Sequence, residues 1–128
     1  MVDSVKYNDW FNKANSDLTA AKILLEYNGD NAIVAFHCQQ AIEKAFKGFM
    51  LKHKSKLVEG HSLVYLCKKA SEIEFSIKQH MKNCAFVNQF YIETRYPSDI
   101  PMDVDKSEAQ ECIGIAEEIL ERIAGKYL

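Results

Sequence analysis

A stripe of amide and ammonium groups near residue 40 offers the chemistry for which this 128-residue chain is best equipped. Gln40, Lys44 and Lys47 follow one another at spacings of four and three residues, which places them on one face of a helix, and His37 lies one turn earlier. Amides can hydrogen-bond a nucleobase, and ammoniums can bind phosphate. The stripe therefore predicts a nucleotide-binding surface, with an ordinary solvated helix face as the alternative interpretation.

A second candidate lies at the start of a later helix, where Gly60 is followed by His61 and Ser62. The first N–H groups of a helix have no partner within it and attract anions, so phosphate can bind there. Helix capping alone would explain Ser62, but it would not explain His61. We therefore predict that His61 belongs to the binding site.

The third candidate is a group around Arg95, one of only two arginines in the chain. Its planar guanidinium suits bidentate capture of phosphate or carboxylate. Tyr91 and Tyr96 lie near it in the sequence and could stack on a base. The alternative is that Arg95 pairs with Asp99 or a helix terminus and that the two tyrosines pack in the core.

Composition places these groups in one reduced, cytoplasmic domain over residues 1–128. The chain is 48% hydrophobic with a net charge of -2, which suits a single core and provides no basic coat for nucleic acid. Its four cysteines fall on apolar stripes, and neither Cys-x-x-Cys nor His-Glu-x-x-His occurs, so we expect no metal and no cofactor. No apolar run approaches the roughly 18 residues that a membrane span needs, so no membrane association is expected.

The elements that must position these groups are all helices, because apolar residues recur with the period of a helix and nowhere alternate. We predict helices over residues 7–27, 31–54, 63–70, 77–94 and from 105 onward. Gly29 is expected to end the first helix in a left-handed conformation, and Asp105 with Glu108 has the spacing of a capping box. The predicted fold is an all-α, up-and-down bundle of four to five helices.

The predicted fourth helix is apolar on two sides. Its two stripes, the first interrupted by Asn88, consist of Met81, Cys84, Ala85 and Ile92 and of Phe86, Val87 and Phe90. A helix that is apolar on two faces packs on two sides. In a chain of this size we expect the second side to form a subunit interface, and we predict a homodimer.

Four motifs are distributed over nearly the whole chain. They are Ala14-x-x-Asp17-Leu18 with Leu24-Leu25, Phe36-x-Cys38-Gln39-Gln40-Ala41-x-Glu43-Lys44-x-x-Lys47, Gly60-His61-Ser62-Leu63 and Tyr91-x-x-x-Arg95-Tyr96-Pro97. Their combined order and spacing are specific, and together they resemble the HEPN domain family, named for higher-eukaryote and prokaryote nucleotide binding. Within the first motif, we expect Asp17 to be a buried partner of a lysine or a backbone group.

The resemblance implies a helical bundle that commonly dimerises, and relatives that work beside minimal nucleotidyltransferases, often as toxin–antitoxin pairs. Other branches of the family are metal-independent RNases that carry an Arg, four to six further residues and then a His. Arg95 occupies the matching place, but no histidine follows it. The chain also lacks the Gly-Ser and paired-Asp pattern of a nucleotidyltransferase. It is therefore not expected to be an enzyme by itself, and no catalytic residue is assigned.

Three functions stay open on this basis. The first is a homodimeric accessory subunit that binds a nucleotide, or a nucleotidyltransferase partner, through the second helix, His61 and Arg95. The second is an RNase toxin in which a relocated His61 works with Arg95 on RNA, and the third is a purely structural dimer module. A binding site requires Gln40, Lys44, His61 and Arg95 to converge around one cleft.

Overall fold

Five α-helices build the part of the chain that the computed structural model describes, namely residues 2–91, 97 and 103–125. They are α1 Tyr7–Glu26, α2 Asn31–Lys54, α3 Leu63–Ile73, α4 Met81–Asn88 and α5 Lys106–Ala124. A 3₁₀-helix, Phe75–His80, leads directly into α4. These residues contain no strand, and the predicted all-α helical bundle is confirmed.

The second helix, α2, is the centre of the bundle. Fourteen of its 24 residues are buried, and it packs against all four other helices. α1 and α2 form a hairpin with a close approach, because a Cβ on Gly48 would lie only 2.7 Å from the Phe11 ring. Since α2 carries the predicted polar stripe, residues of its neighbours can contribute to the same site.

Side-chain caps begin three of the helices. Asp105 and Glu108 form the predicted capping box at the start of α5. Ser62 caps α3 by accepting the backbone N–H of Tyr65 at 3.2 Å, and Asp30 caps α2 by accepting two backbone N–H groups. These contacts satisfy donors that a helix leaves unpaired at its start, so they fix where each helix begins.

The end of α1 differs from the prediction. Asn28, with a φ of 58°, takes the left-handed conformation, and Gly29 does not. Asparagine tolerates this conformation better than most residues because its short side chain can hydrogen-bond locally. Gly29 is needed for space instead, since a Cβ there would lie 2.9 Å from the Leu24 Cδ2 atom.

The region predicted as one helix over residues 77–94 is divided. Ile77 and His80 are both buried, and a 3₁₀-helix places residues three apart on the same side. In α4, Cys84 and Val87, one from each predicted stripe, are buried, whereas Ala85 is exposed, so packing on the second side of the helix stays a prediction. Residues 92–94 lie outside the described residues, and the homodimer stays a prediction.

Buried apolar side chains from all five helices form one continuous cluster. Within the described ranges, no helix is long and apolar enough to cross a lipid bilayer. The same ranges contain no group of three or more His, Cys, Asp or Glu side chains arranged to hold a metal ion. Four polar or charged side chains are buried there, and three of them lie on α2: Gln39, Glu43, Lys47 and, on the 3₁₀-helix, His80.

Candidate functional site

A buried ion pair on α2 stands at the centre of the candidate site. Glu43 is 4% exposed and Lys47 is 7% exposed. The Lys47 ammonium lies 3.2 Å from the Glu43 carboxylate, one helical turn away. Lys47 thus differs from Gln40 and Lys44, which stay partly exposed. Its ammonium faces inward, where it compensates a carboxylate that would be costly to bury alone.

His61 reaches the same carboxylate from the segment before α3. Its Nδ1 atom lies 3.0 Å from Glu43 Oε2 and 3.2 Å from Glu43 Oε1. An ionised carboxylate only accepts hydrogen bonds, so this contact requires the hydrogen on Nδ1. The His61 side chain is 58% exposed. The ring is therefore held at Nδ1 on a side chain that is largely exposed, and this contact does not use the opposite nitrogen, Nε2.

Gln39 fixes the position of this histidine through the backbone. Its amide nitrogen donates to the His61 carbonyl oxygen at 2.9 Å and to Glu43 Oε1 at 3.3 Å. Its amide oxygen accepts from the Gln40 side chain at 2.7 Å. Gln39 is fully buried. The interior therefore sets the orientation of the partly exposed Gln40 amide as well as the location of His61.

An aromatic platform adjoins His61. The Tyr91 ring stacks on the His61 ring, with centroids 5.1 Å apart and planes 15° apart. The Tyr91 ring also contacts the Phe36 ring of α2, at a centroid distance of 6.1 Å. Flat rings held in this way are suited to stacking on a nucleobase.

The opposite edge of the α2 stripe faces α1. The Asp17 carboxylate receives the Lys44 ammonium at 2.5 Å and the His37 Nδ1 atom at 3.1 Å. The expectation that Asp17 pairs with a lysine is therefore confirmed, although Asp17 is only partly buried. Further along the helices, the Lys47 ammonium lies 5.9 Å from the centroid of the Trp10 ring. Residues of α1 thus line one side of the stripe, and His61 and Tyr91 line the other.

The structure brings five of the seven predicted site residues to α2 or its immediate neighbours. Four of them form a connected group: Gln40 contacts Gln39, which contacts His61, and His61 contacts both Tyr91 and the Glu43–Lys47 pair. Lys44 lies on the edge that faces α1. Arg95 and Tyr96, the other two predicted residues, lie outside the described residues, so the full convergence stays a prediction.

Two residues that organise the site, Gln39 and Glu43, were not among the predicted site residues. Together with Lys47 they follow a spacing of four and four along α2. That spacing is the available sequence signal, because it places an amide, a carboxylate and an ammonium on one line of a helix. The sequence does not show that this line faces inward, since the partner that covers it, His61, is 18 residues away from Glu43.

Comparison with known proteins gives a consistent result at the level of the domain. The HEPN domain family model matches residues 7–126. The crystal structure of TT1696 from Thermus thermophilus is similar with a TM-score of 0.83 and 29% identity, covering 95% of this chain and 98% of that chain. The crystal structure of ST0689, an archaeal HEPN homologue, has a TM-score of 0.73 and 24% identity, covering 96% of this chain and 98% of that chain. At this identity it shows that the two folds are similar. No curated protein matches the chain.

Proposed function

The chain belongs to the HEPN domain family, and on this premise we propose that it is a nucleotide-binding accessory subunit. One observation carries the proposal: His61, held by the buried Glu43 carboxylate, stacks on Tyr91 beside an oriented amide on α2. With the Lys44 ammonium, three kinds of group that recognise a nucleotide, namely a flat ring, an amide and a cation, are therefore held on or beside α2.

Each group has a distinct task in this proposal. The Tyr91 and His61 rings provide the surface on which the base stacks. Gln40, whose amide nitrogen is engaged with Gln39, offers its amide oxygen as an acceptor for the base. The Lys44 ammonium has three donors, of which the Asp17 contact uses one, so it can still donate to phosphate.

The chemistry on the nucleotide would be carried out by a second protein. The sequence has no Gly-Ser and paired-Asp pattern with which a nucleotidyltransferase holds its metal ions. A minimal nucleotidyltransferase is the partner that the family resemblance suggests, with the arrangement of a toxin–antitoxin pair. We propose that this chain supplies ligand binding to such a complex as a homodimer, which sedimentation equilibrium would test directly.

Titration calorimetry with ATP and GTP tests the binding proposal. We expect saturable heat for the wild-type protein and a dissociation constant about tenfold higher or more for His61→Ala, because one stacking surface is lost. His53→Ala is the matched control, since His53 is an exposed histidine at the end of the same α2 helix. Equal affinity for His61→Ala and the wild-type protein, or no heat with either nucleotide, would contradict the proposal.

A second candidate function is RNA cleavage, and the Glu43–His61 contact is the observation that favours it. A carboxylate that holds Nδ1 leaves Nε2 as the acceptor, which is the arrangement a general base needs to take a proton from a 2′-hydroxyl. Cleavage of tRNA or mRNA by the purified protein that is lost in His61→Ala and Arg95→Ala would support this function. An intact substrate after long incubation with the wild-type protein would exclude it.

A further inference from the structure

An open cavity on the outer side of α1 has a different set of residues from the site described above. It has a volume of about 780 Å³, within the range typical of small-molecule sites. Lys44 is the only residue that it shares with the predicted site. It is lined by residues of α1, by Ser4 before α1 and by Lys44 of α2: Ser4, Asp9, Trp10, Asn12, Lys13, Ser16 and Lys44.

We propose that this cavity is a second ligand site, which takes a small molecule with an aromatic ring and a phosphate group. It goes beyond the proposed function because it uses Trp10 and Lys13 in place of Tyr91 and His61. The two sites border different sides of the α2 stripe, and neither His61 nor Tyr91 lines the cavity.

The Trp10 ring provides the surface for the ring of the ligand. Its orientation is fixed, because Nε1 donates to the Ser4 carbonyl oxygen at 2.8 Å. The Lys47 ammonium lies 5.9 Å from the centroid of this ring, at cation–π distance, and Lys47 is not among the residues that line the cavity. An aromatic ring held in one orientation at the wall of a cavity favours stacking of a second flat ring.

Lys13 provides the charge for the phosphate. It is exposed, and it makes no ion pair within the residues that the structure describes. Lys44, at the other side of the cavity, is paired with Asp17, and in the proposed function its remaining donors serve the first site. The Asp9 carboxylate, one turn before Lys13 on α1, accepts the Ser4 hydroxyl at 2.6 Å, so the phosphate is expected on the side of Lys13 that faces away from Asp9. The charge of Lys13 is thus the group in the cavity that a phosphate would pair with.

The protein contains its own reporter for this site, because Trp10 is its only tryptophan. Tryptophan emission is measured during titration with ATP and with GTP at constant ionic strength, and pyrophosphate serves as a probe without a ring. We expect a saturable change of emission with a nucleotide, and a much weaker response to pyrophosphate at the same concentration. The Lys13→Ala variant is expected to need about tenfold more nucleotide for half saturation, because a phosphate contact is lost. Lys68→Ala, which removes an exposed lysine of α3, should behave like the wild-type protein.

Variants separate this proposal from the nucleotide site at His61. His61→Ala should keep the emission change, since His61 does not line the cavity. If the emission change is lost in His61→Ala, or is the same in Lys13→Ala and Lys68→Ala, the second site is wrong and the proposed function can still stand. If the heat of binding is unchanged in His61→Ala but vanishes in Lys13→Ala, the second site stands and the proposed function is wrong. An equal response to pyrophosphate, or no saturable change with either nucleotide, would also overturn the second site.

Discussion

Glu43 is the residue whose environment most constrains substitution at the site. Its carboxylate is almost inaccessible to water and depends on Lys47 and His61 for compensation. A buried charge that loses its partner is strongly destabilising, whereas an exposed ion pair contributes little. Substitutions of the two partners should therefore have very different effects from substitutions in ion pairs at the surface.

Lys47→Met tests this difference. It keeps most of the side-chain volume but leaves the Glu43 carboxylate without its lysine, so we expect the free energy of unfolding to fall by about 3 kcal/mol. Lys69→Met is the matched control, because it breaks an exposed pair with Glu72 in which the ammonium is 3.4 Å from the carboxylate. That variant should lose less than about 1 kcal/mol. Urea unfolding of both variants provides the comparison, and similar losses would show that the Glu43–Lys47 pair has no special role.

His80 is a second residue with an unusual environment. It is 3% exposed, and its Nε2 atom has no hydrogen-bond partner within the described residues. Its Nδ1 atom lies 3.9 Å from Glu118 Oε1, which is too long for a hydrogen bond. Burial lowers the pKa of His80, an effect that Glu118 opposes and Arg122 reinforces. The folded protein therefore disfavours the protonated ring.

The sign of the resulting pH dependence follows from this lowered pKa. As the pH falls, His80 of the unfolded chain binds a proton near its ordinary pKa of about 6.5, whereas His80 of the folded protein does so only at a lower pH. The unfolded state is thereby favoured, so stability is lost as the pH falls below about 6.5. We expect the midpoint of thermal unfolding to fall less between about pH 7.5 and 5.5 in His80→Leu than in the wild-type protein. Parallel curves for the two proteins would mean that another group controls the response.

At the scale of elements, the start of α3 is capped by two side chains at once, one of which comes from another helix. Ser62 accepts the backbone N–H of Tyr65, and Asn88 at the end of α4 accepts the backbone N–H of Leu63 at 2.9 Å. In the sequence Asn88 interrupts an apolar stripe of the predicted fourth helix. The structure explains this polar residue, because its amide oxygen completes a helix terminus that carries His61.

Asn88→Ala should therefore destabilise the protein although it adds no bulk. We expect a loss of about 1 kcal/mol in the free energy of unfolding, similar to the loss of a side-chain cap. Asn88→Asp keeps the acceptor and is expected to retain most of the stability. Urea unfolding of the two variants checks the prediction. An Asn88→Ala variant as stable as the wild-type protein would show that Ser62 alone is sufficient.

The same elements show what the sequence can and cannot predict. The period of apolar residues predicts α2 and its end near Lys54, and the spacing of Asp105 and Glu108 predicts the start of α5, since these signals are local. The 3₁₀-helix was missed because its i, i+3 spacing also fits an α-helix. The inward direction of Lys47 was missed because it depends on partners that only the tertiary structure brings together.

At the scale of the whole molecule, the cysteines report on the integrity of the bundle. All four are free and fully buried, and they lie on four different helices: Cys38, Cys67, Cys84 and Cys112. Burial raises the pKa of Cys38, and it raises the pKa of Cys112 to about 12. A hydrogen bond to Cys67, together with burial, raises the pKa of Cys84. A thiol reagent needs both access and a thiolate, and the folded state offers neither at these three positions.

Native protein should therefore react slowly with a thiol reagent such as an aromatic disulfide, and urea-unfolded protein should react rapidly at all four cysteines. Cys67 is expected to react first if α3 and α4 open from the bundle as a pair, because the hydrogen bond from Cys84 then still lowers its pKa. Mass spectrometry of partly labelled protein identifies the first site. Fast labelling of the native protein would mean that α3 and α4 separate easily from the rest of the bundle.

The line of Gln39, Glu43 and Lys47 along α2 has a consequence for how the chain selects one arrangement of its helices. If α2 slipped by one turn relative to its neighbours, Glu43 would replace Gln39 opposite the His61 carbonyl oxygen. Two hydrogen-bond acceptors would then face each other without a donor between them. Apolar side chains such as Leu and Ile tolerate such slips far better, because they lack directional contacts. The polar line thus favours one register of the central helix relative to its neighbours during folding.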